Sequence, residues 1–441
     1  MLEAVRNAFI LPDLRRKIVF TLLILVVYRA GAHVPVPGVD SSALQSFLES
    51  GSDGSTIVQF LNLLSGGALA NFSIMAMGVY PYITASIIMQ LLTPLIPQLQ
   101  ELSKEGEQGR NKINMYTHWL TVPLAVLQAY GQVFFIQSSV PGILSDFGFG
   151  VNPLTTITVL ITMTTGTMIA VWLGELITEQ GVGNGVSIII FGGIVAQMPN
   201  QIASFVSRQE WGNLILFGII TVLTIAVIAF VQEGQRRIPV QYGKRVRGTK
   251  VYGGQSSHIP MKVNSAGMIP LIFAQSIMIF PSAVAASFTV SDNEFIRNVA
   301  TGVVTWFSPN PQSWPYWILY FLMVVGFTYF YTDVIFKQQN LADNLQRQGG
   351  FIPGIRPGKR TENYLNSVLQ RITLVGALML GGVAILPWIV NLIPGVSQSG
   401  TQTQALLITS TGLLIVVGVV LDTMKQLEAQ LMMRNYEGFI N

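Results

Sequence analysis

The chain has 441 residues, of which 50% are hydrophobic and only 10% charged, against about 25% charged in an ordinary soluble domain. So few charges cannot cover a water-facing surface, and the absence of cysteine excludes disulfides, thiolate metal sites and cysteine nucleophiles. The net charge of +4 is modest, and its distribution along the chain carries more than its size.

Residues 1–17 read as an N-terminal segment on the inner membrane surface. Leu2, Val5, Phe9 and Ile10 suit a short amphipathic helix lying on the bilayer. Arg6, Arg15, Arg16 and Lys17 precede a long apolar run without a small-residue cleavage site, so no cleavable signal peptide is expected. A bilayer core needs about 20 apolar residues per helix. Ten segments fit: Ile18–Val36, Ile74–Ile96, Trp119–Val140, Leu154–Leu173, Val186–Val206, Leu214–Val231, Ala266–Phe288, Tyr316–Phe336, Ile372–Ile393 and Ala405–Leu421. The runs are continuous and do not alternate with period two, which argues against a transmembrane β-barrel. The expected fold class is therefore an all-α membrane protein with ten transmembrane helices.

Between the first two segments, Ser55–Phe72 is apolar but too short to span, and Gly66-Gly67 interrupts it. It reads either as a short helix folded back into a cavity or as an external surface helix. Gly181-Val182-Gly183-Asn184-Gly185 reads as a tight connection between two spans. Two later loops, about 232–264 and 337–370, are long, basic and rich in strand and turn residues. They read as folded protrusions, able to dock ribosomal RNA or an acidic protein patch.

Lys and Arg set the orientation. With the N-terminus inside, the inner segments hold 22 of 25 basic residues: four before the first span, three in 104–112, seven in 236–262, six in 337–371 and two after the last. The outer loops hold Arg208 and Arg297, and Arg29 lies near the outer end of the first span. Both termini are expected inside. Residues 18–206 and 207–421 then carry five spans each. An odd number inverts one half relative to the other, an arrangement that encloses central paths in transporters. Residues 422–441 read as a C-terminal tail.

Catalytic chemistry finds little footing. His33, His118 and His258 are far apart, and no HExxH or GxSxG occurs. Pro357-Gly358-Lys359-Arg360-Thr361 resembles the end of a P-loop, but Pro353 stands where the first glycine is required. No nucleotide, metal or other cofactor is expected. The spans also lack the mid-membrane carboxylates of ion-coupled transporters, which suits a passive path sealed by apolar side chains.

Several stretches resemble the SecY/Sec61-alpha family. They are Val34–Gly38, Phe60–Ala70, Pro81–Ile88, Lys104–Glu107, Glu179–Gly185, Gly234–Val240, Pro260–Asn264, Lys337–Asn344 and Pro353–Gly358, in family order from the first span to the tenth. The resemblance implies two pseudo-symmetric inverted five-helix halves around an hourglass pore. Such a channel passes unfolded secretory polypeptides across the bacterial cytoplasmic membrane and releases hydrophobic segments sideways into lipid. It implies a pore ring of Ile83, Ile87, Val186, Ile190, Ile269, Ile272 and Ile415. It also implies a plug at about 57–72 that includes Phe60, Leu61, Leu64, Gly66 and Gly67, and a lateral gate of spans two and seven with three and eight beside them. Arg237, Arg247, Lys250, Arg356, Lys359 and Arg360 are the implied docking residues, with Arg356 coupling to the motor. The implied partners are SecE and SecG, the SecA ATPase, the translating ribosome, substrates with signal sequences and membrane lipids. Energy would come from the motor or ribosome and the proton-motive force. The pairs Ile83/Ile87, Val186/Ile190 and Ile269/Ile272 are three or four residues apart, so each shares a helix face.

Overall fold

The computed structural model describes residues 11–39, 44, 62, 65–139, 143–144, 147–148, 150–207, 209, 211–242, 245–247, 250–252, 256–286, 288, 293–307, 314–339, 341–392 and 400–437. The expected surface helix at Leu2–Leu11 lies almost wholly outside them.

The chain is mainly helical. In order it forms α1 (Pro12–Gly31), α2 (Tyr80–Leu92), α3 (Pro97–Lys104), α4 (Glu107–Ser139), α5 (Pro153–Gln180), α6 (Gly185–Ser207) and α7 (Trp211–Glu233). Then come β1 (Gln235–Tyr242), β2 (Arg245–Arg247), β3 (Lys250–Tyr252), β4 (Ser256–Lys262), α8 (Ile269–Ala286), α9 (Glu294–Phe307) and α10 (Trp314–Gln339). The chain closes with α11 (Leu341–Arg347), β5 (Gly350–Phe351), α12 (Lys359–Ala384), α13 (Leu386–Asn391) and α14 (Gly400–Glu437).

Each of the ten apolar segments carries a helix, and only the ninth is broken. At the end of the second the chain turns through 99° from α2 into α3, which lies just beyond the segment, where Pro94 and Pro97 remove backbone donors. The first residues of that segment, 74–79, are buried turns and not helix. The ninth stops at Ala384 and restarts as α13, whose second residue is Pro387. A proline there would collide with the carbonyl of Val383 in a continuous helix. Among the described residues α5, α7, α10 and α12 are long and apolar enough to cross a membrane, and the bent pair α2–α3 makes a fifth if taken as one span.

The surface is apolar in the way a lipid-embedded protein requires. On α1 the side chains of Val19, Leu22, Leu23, Val26 and Val27 are exposed, and on α7 Ile215, Ile219, Val222, Leu223 and Phe230 are. An aqueous surface does not carry such continuous apolar faces.

Within the first half, α5 packs against α1, α2, α4 and α6. In the second, α8 packs on α9 and α10, α10 on α12, and α14 on α7 and α12. The halves meet where α6 touches α7 and α14, and where α4 touches α8. The two basic loops, expected as separate protrusions, join into one module. β1 pairs antiparallel with β4 and, through Gln241↔Phe351 and Tyr242↔Gly350, with β5 of the second loop. Alternation along β1 turns Ile238 and Val240 inward, against Leu345, Ile352, Leu365 and Leu369.

Candidate functional site: an aliphatic ring and the segment packed against it

Residues 65–72 form a run of turns, not a helix, and Phe60, Leu61 and Leu64 lie outside the described residues. The run is pinned by hydrogen bonds. The carbonyl of Asn62 accepts from the Gly67 amide (2.7 Å), the Ser65 hydroxyl (3.0 Å) and Nε2 of Gln197 on α6 (3.0 Å), and its Oδ1 accepts from the Ala70 amide (2.8 Å). From α1, the Tyr28 hydroxyl donates to the Ser65 carbonyl (3.1 Å) and the Arg29 guanidinium to the Gly66 carbonyl.

Two glycines make the close approach to α6 feasible. Gly66 has φ +70°, and a Cβ there would stand 2.7 Å from Cα of Gly193. Gly67, at φ +87°, lies under Arg29, with Nη1 3.2 Å from where its Cβ would be. The motif Ser65-Gly66-Gly67-Ala68 therefore has a steric reason: left-handed backbone and no room for a side chain. Beyond it, Phe72 and Ile74 hydrogen-bond to Val36 and Val34, tying the run back to the end of α1.

Five residues expected in the ring converge. Ile83 from α2, Val186 and Ile190 from α6, Ile272 from α8 and Ile415 from α14 share one apolar cluster, together with fully buried Ala68 of the turn run. Ile190, Ile272 and Ile415 are buried, and Ile83 and Val186 half-buried. Ile87 and Ile269 belong to a second cluster with Ala266, Phe273 and Tyr331. Spacing puts each pair on one helix face, but a full turn, about 5.4 Å, separates the levels of Ile83 and Ile87. That second cluster joins α2 to α8 and α10.

At the start of α2, His118 Nε2 on α4 lies 2.7 Å from Glu175 Oε1 on α5, and the Tyr82 ring is 5.4 Å from the imidazole, centroid to centroid. No residue pattern announces this pairing, because His118 and Glu175 are 57 positions apart. The glycine-rich connection 181–184 is a turn between α5 and α6. A Cβ on Gly185 would lie 1.8 Å from the Gly174 carbonyl oxygen, and the Thr178 hydroxyl accepts the Gly185 amide at 2.9 Å.

On the β module, Arg237 is exposed on β1, and Arg247 and Lys250 are backbone partners across the β2–β3 hairpin. Arg356 is exposed in the turn before α12, where the Thr361 hydroxyl donates to its carbonyl (3.0 Å), and Lys359 and Arg360 are exposed in the first turn of α12. Among the described residues no cluster of His, Asp or Glu could hold a metal ion.

The comparisons with known proteins agree with one another. The SecY family model matches residues 73–424. A protein translocase subunit SecY from Halalkalibacterium halodurans is 45% identical over 452 residues, and one from Streptomyces scabiei is 44% identical over 451, each covering 100% of both chains. Among solved structures, one described as "The structure of a protein conducting channel" superposes with a TM-score of 0.63 at 18% identity, covering 94% of this chain and 92% of that one. Sec61 in the canine ribosome-channel complex superposes at 0.61 with 17% identity and the same coverage.

Proposed function

Since this chain belongs to the SecY family of protein translocase subunits, and is thus a multi-pass, non-enzymatic protein-conducting channel subunit, we propose that unfolded polypeptides pass through the aliphatic cluster at its centre. The observation that carries this reading is the convergence of Ile83, Val186, Ile190, Ile272 and Ile415 from both halves of the chain. A translocating chain has no fixed sequence. A seal around it has to be apolar and adaptable, and aliphatic side chains exclude water without demanding hydrogen-bond partners.

On this reading ten helices cross the membrane in two inverted halves around an hourglass path. The chain sits in the bacterial cytoplasmic membrane with both termini cytoplasmic. The run 65–72, with the segment preceding it, is the plug. Ile87 and Ile269 belong to the neighbouring seam between α2 and α8, which opens sideways to release hydrophobic segments. SecE and SecG complete the channel. SecA or the translating ribosome, with the proton-motive force, supplies the energy.

The basic module is the docking surface for that motor or ribosome. Lys359 and Arg360 sit at a helix N-terminus, where positive charge is unfavourable by about 0.3–1 kcal/mol. An anionic partner surface would reverse that penalty. Exposure of Arg237 and Arg356 supports the same role.

The test uses the natural absence of cysteine. One cysteine is placed at Ile272 and another midway along an arrested secretory chain. A disulfide between them, absent with a cysteine at lipid-facing Leu223, is the expected result. Failure to crosslink while the chain occupies the channel mouth overturns the ring assignment.

A further inference from the structure

The loop between α8 and α10 contains a helix the sequence did not announce. At about 100° per residue, α9 divides cleanly. Phe295, Val299, Val303, Trp306 and Ile296 lie on one side, and Glu294, Arg297, Asn298, Thr301 and Thr305 on the other. The polar side is internally satisfied, with Thr301 and Thr305 hydroxyls donating to the carbonyls of Arg297 and Thr301.

Only part of the apolar side is used within the protein. Ala300 is buried and Val303, Val304 and Phe307 are half-buried where α9 packs on α8 and α10. The adjoining strip is bare: Phe295 is 76% exposed, Trp306 54%, Val299 51% and Ile296 41%. Beside it, Pro281 and Ala285 of α8, with Phe288 just beyond its end, form with α9 a cleft of about 420 Å³ whose lining residues are all apolar. On α8, exposed Ile277 lies one turn before Pro281 on the same face, so the apolar face of α8 runs into this cleft, and α10, on which α9 also packs, exposes Ile318 and Leu322.

We propose that α9 is an in-plane membrane helix whose bare strip is immersed in the outer-leaflet interface, an acyl chain of a bilayer lipid filling the cleft between α9 and α8. Three features select lipid as the occupant. The strip meets the apolar face of α8 in the cleft. Its charged residues are confined to the opposite side, as an interfacial helix requires. Its Trp306 is of the type that settles at the headgroup level. Because α9 is packed on α8, lipid contact here anchors the outer end of a gate wall. The choice of leaflet rests on the topology in the proposed function.

The test uses the assembled translocase in proteoliposomes, with single cysteines at Val299 and Asn298 carrying an environment-sensitive NBD label. The label on Val299→Cys is expected to emit at shorter wavelength, to be quenched by brominated lipid and to resist aqueous iodide several-fold better than the label on Asn298→Cys. Equal iodide quenching at both positions overturns the proposal. So does protection of Val299→Cys from both quenchers, which would mean that a protein subunit covers the strip. Labelling of Asn298→Cys in intact cells by an impermeant maleimide reports the side independently. A failed topology and a failed immersion therefore give different results.

Discussion

At the scale of single residues, the contact that most resists reading from sequence is Arg29 on the Gly66 carbonyl. The arginine itself stands out as a charge near the end of an apolar segment. Its acceptor is a backbone oxygen, which every residue has, so no pattern of residue types announces it. Gly66 and Gly67 are legible as an interruption, but the reasons for them, Gly193 of α6 pressed against Gly66 and the Arg29 guanidinium over Gly67, exist only in three dimensions. A hydrogen bond from a charged donor contributes about 1.5–3 kcal/mol. Arg29→Leu is therefore expected to raise the open population of the resting channel by roughly ten- to a hundredfold, at about 1.4 kcal/mol per decade. Gly66→Ala adds left-handed strain of about 1–2 kcal/mol to the clash with Gly193 and should act in the same direction. Single-channel recording of the reconstituted translocase without substrate measures this. Unchanged resting conductance in both variants would show that the clasp does not hold the seal.

Among elements, the helices were legible because long apolar runs leave few alternatives, whereas their interruptions were not all foreseen. Pro387 sits inside a run apolar enough to hide it. The two basic loops illustrate the opposite limit. Each shows strand and turn chemistry, but their union through β1 and β5 depends on pairing across more than a hundred residues, which composition does not encode. Their common core makes a separable prediction. Leu365 is fully buried among Ile238, Leu345 and Ile352, so Leu365→Ala should cost about 2–5 kcal/mol, concentrated in this module. Limited trypsin digestion should then cut at Arg356 and Arg360 much faster while the membrane helices stay intact. Arg356→Glu leaves that core untouched. It should keep the protease resistance of the parent and lose motor-dependent export, and a loss of resistance in Arg356→Glu would reduce its export defect to misfolding.

For the whole molecule, charge counting sets an expectation of orientation and inversion, but not of which helices meet. The halves are joined in sequence between α6 and α7, and α6 also packs on α14, so one side of the interface is tethered. The other side, where α4 meets α8 and Ile87 of α2 packs with Ile269 and Phe273, has no covalent link. On the proposed function, two halves joined on one side open on the other, which is where a hydrophobic segment would reach lipid. A charge at the centre of such a segment costs about 2.5–3.5 kcal/mol, so one Lys should lower its inserted fraction by roughly a hundredfold if partition through this seam decides its fate. Cysteines at Ile87 and Ile269 joined by a short cleavable bismaleimide should block insertion of apolar segments, and cleavage of the linker should restore it. Normal insertion through the linked channel would place the exit elsewhere, and the cluster of Ile87 and Ile269 would then be packing alone.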